Sequence, residues 1–96
     1  MTTTTTYNGW ANYDTWNVML WLDNDEVLYR DTCRYFQFIR GERRRPTYAE
    51  LIQWLDDSGT ITAETPDGVN WMADTLSQTE LNRGIRTNFD CWLAYN

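Results

Sequence analysis

The sequence contains no histidine and no lysine, so that all eight basic residues are arginines. The chain therefore has no imidazole base or metal ligand, and no lysine for a Schiff base or a phosphate-binding loop. Cysteine is scarce as well: Cys33 and Cys91 lie far apart and form no CxxC pair. We expect two buried, reduced thiols, with no zinc site and no disulfide bond.

Long apolar runs are also missing. The longest, Val18 to Leu22, is much too short to span a membrane. Residues 1–6 have neither the basic nor the apolar region of a signal peptide. We therefore expect a cytoplasmic protein that does not insert into a membrane.

Several catalytic patterns are absent from the chain. It has no GxSxG motif, no Cys/His pair and no glycine-rich phosphate loop. The adjacent carboxylates Asp56 and Asp57 would point in different directions at a helix end, which disfavours paired acid–base chemistry. The sequence thus predicts a protein that is not an enzyme and needs no cofactor.

The chain is rich in aromatic and acidic residues. Its 96 residues allow one domain, and six Trp, six Tyr and three Phe can fill a small core. Fourteen acidic residues against eight basic ones give a net charge of −6. Residues 1–6 are predicted to be a disordered polar tail, and residues 7–96 a single helical domain.

Local patterns predict the first two helices. Asn12 is a suitable N-cap for a helix from Tyr13 to about Leu22. Its apolar residues lie on all sides, which is typical of a buried, central helix; the alternative is a short strand at Val18 to Leu22. Residues 23–26, with the sequence Asp-Asn-Asp-Glu, can cap a second helix that reaches about Arg40 and stops at Gly41.

Two capping boxes, in which Thr47 precedes Glu50 and Ser77 precedes Glu80, predict the starts of a third and a fourth helix. The third is expected to end near 57–59 and the fourth at Tyr95. The sequence therefore predicts a small all-α bundle of about four helices with an aromatic-rich core.

The remaining segment, 60–74, has no helical period and contains a turn at 66–68, where the sequence is Pro-Asp-Gly. Another turn is predicted at Asn8-Gly9. Gly84, inside the fourth helix, indicates close approach of a neighbouring backbone or ring.

Two stretches carry a resemblance to known proteins. Residues 8–26 are NGWANYDTWNVMLWLDNDE, and residues 65–71 are TPDGVNW. They resemble a family of small uncharacterised proteins with an NYETWNVALWI-NDE and a TPDGVxW signature. Its members occur in bacteriophages, cyanophages prominently, and in some cyanobacteria and archaea. The resemblance implies a virus-associated cytoplasmic accessory protein and no particular mechanism.

The arginines are unevenly distributed, with six of the eight between residues 30 and 45. In one interpretation, Arg40, Arg43, Arg44 and Arg45 converge on one end of the molecule together with Arg30 and Arg34 of the preceding helix, and their guanidinium groups bind carboxylates or phosphates there. The alternative is an exposed loop whose arginines pair with neighbouring acidic residues.

The other candidate contacts are acidic or aromatic. Asp23, Asp25 and Glu26 either bind a partner or cap a helix; they do not form an EF-hand loop, because its sixth and twelfth positions would be Leu28 and Arg34. Trp10 and Trp71 lie in predicted loops, where a Trp either anchors a partner or covers the core.

These features predict a non-enzymatic protein that binds and inhibits or modulates a host protein, in the manner of anti-restriction, anti-CRISPR or host-takeover proteins. The alternative is a small nucleic-acid-binding domain that uses the arginine-rich loop, although a net charge of −6 opposes attraction to phosphate. A third option is an assembly role, as a homodimer formed through an exposed aromatic face.

Overall fold

The structure, a computed structural model, describes residues 7–96 and contains four α-helices and no strand within that range. The helices are α1 (Tyr13–Asn24), α2 (Glu26–Glu42), α3 (Tyr48–Asp57) and α4 (Gln78–Tyr95). The prediction of a four-helix all-α fold is confirmed. The predicted tail, 1–6, lies outside the described residues. Among the described helices, none has the length and apolar character needed to cross a bilayer.

The core forms where apolar side chains of all four helices meet, and α1 contributes Val18, Met19 and Leu22 to it. Five aromatic residues are buried in it, so the core is aromatic-rich: Tyr35, Phe36, Tyr48, Trp71 and Phe89. Leu93 of α4 is 39% exposed because it lies in the last, exposed turn of that helix.

The predicted central position of α1 is wrong. Helices α2 and α4 each pack against the three other helices, whereas α1 packs against α2 and α4 but not α3. The apolar residues on the outer side of α1 are covered by irregular segments. The ring of Trp16, for example, lies 4.8 Å from that of Tyr7. An all-round apolar helix can therefore lie at the side of a bundle when a loop covers it.

The sequence predicts that α2 stops at Gly41, but the helix continues to Glu42. Arg43 then adopts the left-handed conformation, with φ of 59°. Its N–H donates to the carbonyl of Arg40, and the N–H of Arg44 donates to the carbonyl of Ile39. These two bonds give the carbonyls of Ile39 and Arg40, in the last turn of the helix, a hydrogen-bond donor, although the residue in the left-handed conformation is not a glycine.

The predicted N-caps are confirmed: the side chains of Asn12, Asp25, Thr47 and Ser77 each accept a backbone N–H of the helix that follows. The glutamates of the two capping boxes bond elsewhere. Glu80 accepts the N–H of Ala11 at 2.7 Å, which ties the start of α4 to the chain just before α1.

The two cysteines are unpaired, with Cys33 half-buried and Cys91 exposed. The expectation that both thiols are buried is wrong, because each residue lies at the edge of its helix's apolar stripe rather than within it. The close approach predicted at Gly84 is confirmed. A Cβ there would lie 3.2 Å from both the Trp10 ring and the end of the Met19 side chain.

Candidate functional site

The two stretches that carry the family resemblance meet in the folded chain. Asn17, which is fully buried, accepts a hydrogen bond from the Thr65 hydroxyl at 2.8 Å. Its amide donates to the Asp67 carboxylate at 2.8 Å, and the Trp21 indole donates to the same carboxylate oxygen at 2.9 Å. We call these four residues the motif junction. They fasten the irregular segment after α3 to the outer side of α1.

The motif junction is reinforced by a turn at the predicted position. The N–H of Gly68 donates to the carbonyl of Thr65 at 2.8 Å, and Gly68 has φ of 89°, a conformation that favours glycine. The hydrogen bonds from Asn17 and Trp21 lower the pKa of the Asp67 carboxyl. Each of these contacts holds the fold together, so the junction is a structural feature.

The two loop tryptophans are held in different environments. Trp71 is 3% exposed, and its carbonyl accepts the Tyr48 hydroxyl at 2.7 Å. Its indole is part of the core, so of the two alternatives for this residue the structure supports the core and not the partner contact. Trp10 is half-buried and rests on Gly84, where the missing side chain makes room for the ring.

Each of the three acidic candidates is bonded within the chain. Asp25 caps α2 by accepting the N–H groups of Val27 and Leu28, as the capping alternative predicts. Glu26 pairs with Arg30 at 2.7 Å on the exposed side of α2. Asp23 accepts the Asn88 amide at 2.9 Å, and burial raises the pKa of the Asp23 carboxyl.

The most strongly held loop arginine is Arg44. Its guanidinium donates to both carboxylate oxygens of Glu50, at 2.7 and 2.9 Å. The Tyr35 hydroxyl donates to the same carboxylate at 2.7 Å. These bonds lower the pKa of Glu50. Arg44 thus joins the loop to α3, and its fork is occupied within the chain.

Two other candidate arginines, Arg40 and Arg45, contact the last turns of α4. Arg40 lies over the Trp92 ring, 5.0 Å from its centroid, at the end of α4. Arg45 donates to Asp90 at 2.9 Å, on the outward side of α4. The structure thus pairs Arg44 and Arg45 with acidic residues, as the alternative interpretation of this loop predicts, while Arg40 and Arg45 both approach the end of α4.

A different set of arginines does come together. Arg45 lines a depression of about 650 Å³ with Arg83 and Arg86 of α4, and the other lining residues are Thr79, Thr87 and Asp90. We call this the arginine depression. Three arginines face one aspartate there, so its lining is positive in a chain whose net charge is −6.

The three guanidinium groups of the depression differ in how they are held. Arg86 donates through Nε to the carbonyl of Pro46 at 3.0 Å, which orients its side chain along the loop. Arg45 is paired with Asp90, and both side chains are about half exposed. Arg83 forms no ion pair with any residue between 7 and 96. Guanidinium nitrogens thus stay accessible for an anionic group.

Sequence reasoning did not single out Arg83 and Arg86. Their spacing of three residues on one helix was a usable signal, since residues that far apart share a helix face. The spacing of Arg83 and Arg86 does not show which face of α4 lies beside the loop that carries Arg45.

Metal binding has no support in the described part of the chain. No group of three or more Cys, Asp or Glu side chains is placed to hold an ion there. The chemistry that the arginine depression offers is bidentate hydrogen bonding to carboxylates or phosphates.

Comparison with known proteins gives one match. The model of a family of unknown function, DUF7249, matches residues 3–90. No curated protein and no solved structure matches the chain. The matched range includes both the motif junction and Arg83 and Arg86, but it brings no activity with it.

Proposed function

The chain belongs to the DUF7249 family of unknown function, and we propose that it is a non-catalytic protein that binds a host protein and inhibits or modulates it. The arginine depression is the contact surface in this proposal, and an acidic segment of the partner is what it binds. The observation that carries the proposal is the meeting of Arg45, Arg83 and Arg86 on one concave surface.

The charge of the depression supports this assignment. An acidic protein repels other acidic proteins over its surface as a whole, so a local positive depression restricts where an acidic segment can dock. Arginine is also enriched where interfaces contribute most to binding. The resemblance to phage-associated proteins supports a host protein as the partner, and competition for its acidic segment is a direct route to inhibition.

A nucleic acid is the alternative ligand, since guanidinium groups bind phosphate as well as carboxylate. The charge of the remaining surface opposes both ligands, but it opposes a nucleic acid more strongly than a short acidic segment, because a phosphate backbone carries a negative charge at every nucleotide. A chain of net charge −6 lacks the long-range attraction on which phosphate-backbone binding depends.

The test uses two double variants that are matched in charge. Arg45→Ala with Arg83→Ala removes one ion-paired and one unpaired arginine from the depression. Arg30→Ala with Arg34→Ala removes one paired and one unpaired arginine from α2. The tagged wild-type chain captures its partner from host lysate, and the purified partner is then titrated with all three proteins.

We expect the depression variant to bind the partner about tenfold more weakly and the α2 variant to bind within about twofold of wild type. Equal losses in both variants, or no loss in the first, would contradict the proposed surface. A short single-stranded oligonucleotide is titrated in parallel over a salt series. Binding that falls steeply with salt and is lost only in the depression variant would select the nucleic-acid alternative.

A further inference from the structure

Two hollows lie side by side along the irregular segment between α3 and α4. The first, of about 400 Å³, opens between this segment and the start of α2, and the second, of about 270 Å³, opens between the segment and α3. Three residues line both hollows: Ile61, Thr62 and Trp71. The two hollows therefore form one continuous groove, and none of its lining residues belongs to the arginine depression.

Large apolar side chains are exposed at both ends of the groove. Val27 lines the first hollow and is 61% exposed, and Met72 lines the second and is 60% exposed. Between them, Ile61 is half-buried and Trp71 forms a buried floor. A single exposed apolar residue is ordinary, but a continuous apolar surface is typical of a contact with another protein. Both hollows are open rather than enclosed, which fits a protein segment better than a small molecule.

The charged side chains of the groove are acidic. Asp25 and Glu64 line the first hollow and Asp56 lines the second, whereas none of the eight arginines, all within the described residues, lines either. Glu64 and Asp56 are exposed and form no ion pair with any residue between 7 and 96. The surrounding chain has the same sign, because residues 46–82 contain seven acidic residues and no basic one. The groove therefore attracts a cationic segment and repels an anionic one.

We propose that this groove binds a short segment of a partner protein in which large apolar residues are flanked by arginine or lysine. The apolar side chains enter the two hollows, where they remove Val27, Ile61 and Met72 from water. The flanking cations pair with Glu64 and Asp56. The protein then has two surfaces of opposite charge that select segments of opposite sign, and this second surface does not depend on the proposed function.

The test uses four synthetic peptides of equal length, blocked at both ends, that separate the apolar contribution from the charge. RRLSFRR carries two apolar residues between pairs of arginines, and their spacing places both on one side of an extended chain. QQLSFQQ removes the charge, EELSFEE reverses it, and RRSSSRR removes the apolar side chains. Each peptide is titrated into the full chain at physiological salt while the methyl signals of Val27, Ile61 and Met72 are followed by NMR.

We expect RRLSFRR to bind about tenfold more tightly than each of the other peptides, because it alone matches both the apolar surface and the charge. Asp56→Asn with Glu64→Gln should weaken its binding about fivefold and leave QQLSFQQ unchanged. Asp74→Asn with Glu42→Gln removes the same charge from two exposed residues that do not line the groove. This matched control should bind RRLSFRR within about twofold of wild type.

Met72→Arg places a cation at one exposed end of the groove without altering the core, and it should weaken RRLSFRR about tenfold. The proposal is overturned if no peptide shifts the methyl signals, if any control peptide binds as tightly as RRLSFRR, or if Met72→Arg leaves binding intact. A second copy is a poor occupant, because the loop arginines Arg43 to Arg45 have no exposed apolar neighbour. A dimer in sedimentation of the chain alone that Met72→Arg dissociates would assign the groove to a second copy and overturn the proposal.

Discussion

The motif junction and the arginine depression are both made of polar side chains, but they differ in burial. At the junction Asn17 is fully buried and bonded to Thr65 and Asp67. In the depression, Arg45 and Asp90 are each more than half exposed, at 54% and 56% of their side-chain surface. Buried hydrogen bonds fix the position of a chain segment, whereas exposed charges contribute little to stability and remain available to a partner.

The comparison is tested most severely by Asn17→Ala. This change removes the acceptor of the Thr65 hydroxyl and one of the two donors to the Asp67 carboxylate. It also opens a cavity beside α1. We expect the free energy of unfolding to fall by about 2–4 kcal/mol. Urea denaturation followed by tryptophan fluorescence measures the change.

Asn24→Ala is the matched control, because Asn24 lies on the same helix but is exposed and bonds only to the carbonyl of Leu20. Its expected cost is about 0.5 kcal/mol or less. If both variants lose a similar free energy of unfolding, the burial of Asn17 does not make the motif junction more important for stability than an exposed residue of the same helix.

The charge at the junction gives a second, pH-dependent prediction. The Asp67 pKa is lowered from 3.8 by hydrogen bonds from Asn17 and Trp21, so the folded state binds the proton more weakly than the unfolded chain. The resulting stabilisation is fully present above the unfolded pKa and is lost as the pH falls through the lower folded value. Asp67→Asn keeps an acceptor oxygen but removes this dependence.

We therefore expect Asp67→Asn to have a lower melting temperature than wild type at about pH 7, with the difference shrinking towards about pH 3. Other carboxylates, such as Glu50, titrate equally in both proteins, so their contribution cancels in the comparison. A melting-temperature difference that stays constant over this range would show that the charge of Asp67 is not what the junction uses.

Substitutions at the end of α2, where the loop to the arginine depression begins, should change the free energy of unfolding less. Arg43 has a left-handed φ of 59°, while Gly41 lies inside the helix with open space where a Cβ would be. Arg43→Gly and Gly41→Ala should each raise the free energy of unfolding by about 0.5–1 kcal/mol. If the helix instead stops at Gly41, as its sequence suggests, Gly41→Ala destabilises the protein in the same denaturation assay.

How far the sequence predicts this molecule depends on the range of each interaction. Caps such as Asn12 and Asp25, the turn at 66–68 and the apolar stripes are local patterns, and the structure confirms them. The left-handed turn at Arg43 was missed because the same local pattern fits a stop at Gly41, where glycine carries no strain.

The candidate site was less predictable because it depends on contacts between distant residues. Arg45 meets Arg83 and Arg86 only after α4 packs beside the loop, some 40 residues further along the chain. Asn17 and Asp67 were likewise visible as parts of two motifs, but nothing local showed that they bond to each other across 50 residues. Trp71 was open to two interpretations for the same reason, and only the fold shows that it is buried.

The smallest stability effect is expected for the variant with the largest effect on binding. Arg45→Ala with Arg83→Ala breaks one exposed ion pair, with Asp90, and should change the free energy of unfolding by less than about 0.5 kcal/mol. Partner binding should nonetheless fall, because the groups that an acidic segment contacts are gone. A loss of stability as large as that of Asn17→Ala would mean that the depression is a structural element and that its arginines are retained for folding rather than for a partner.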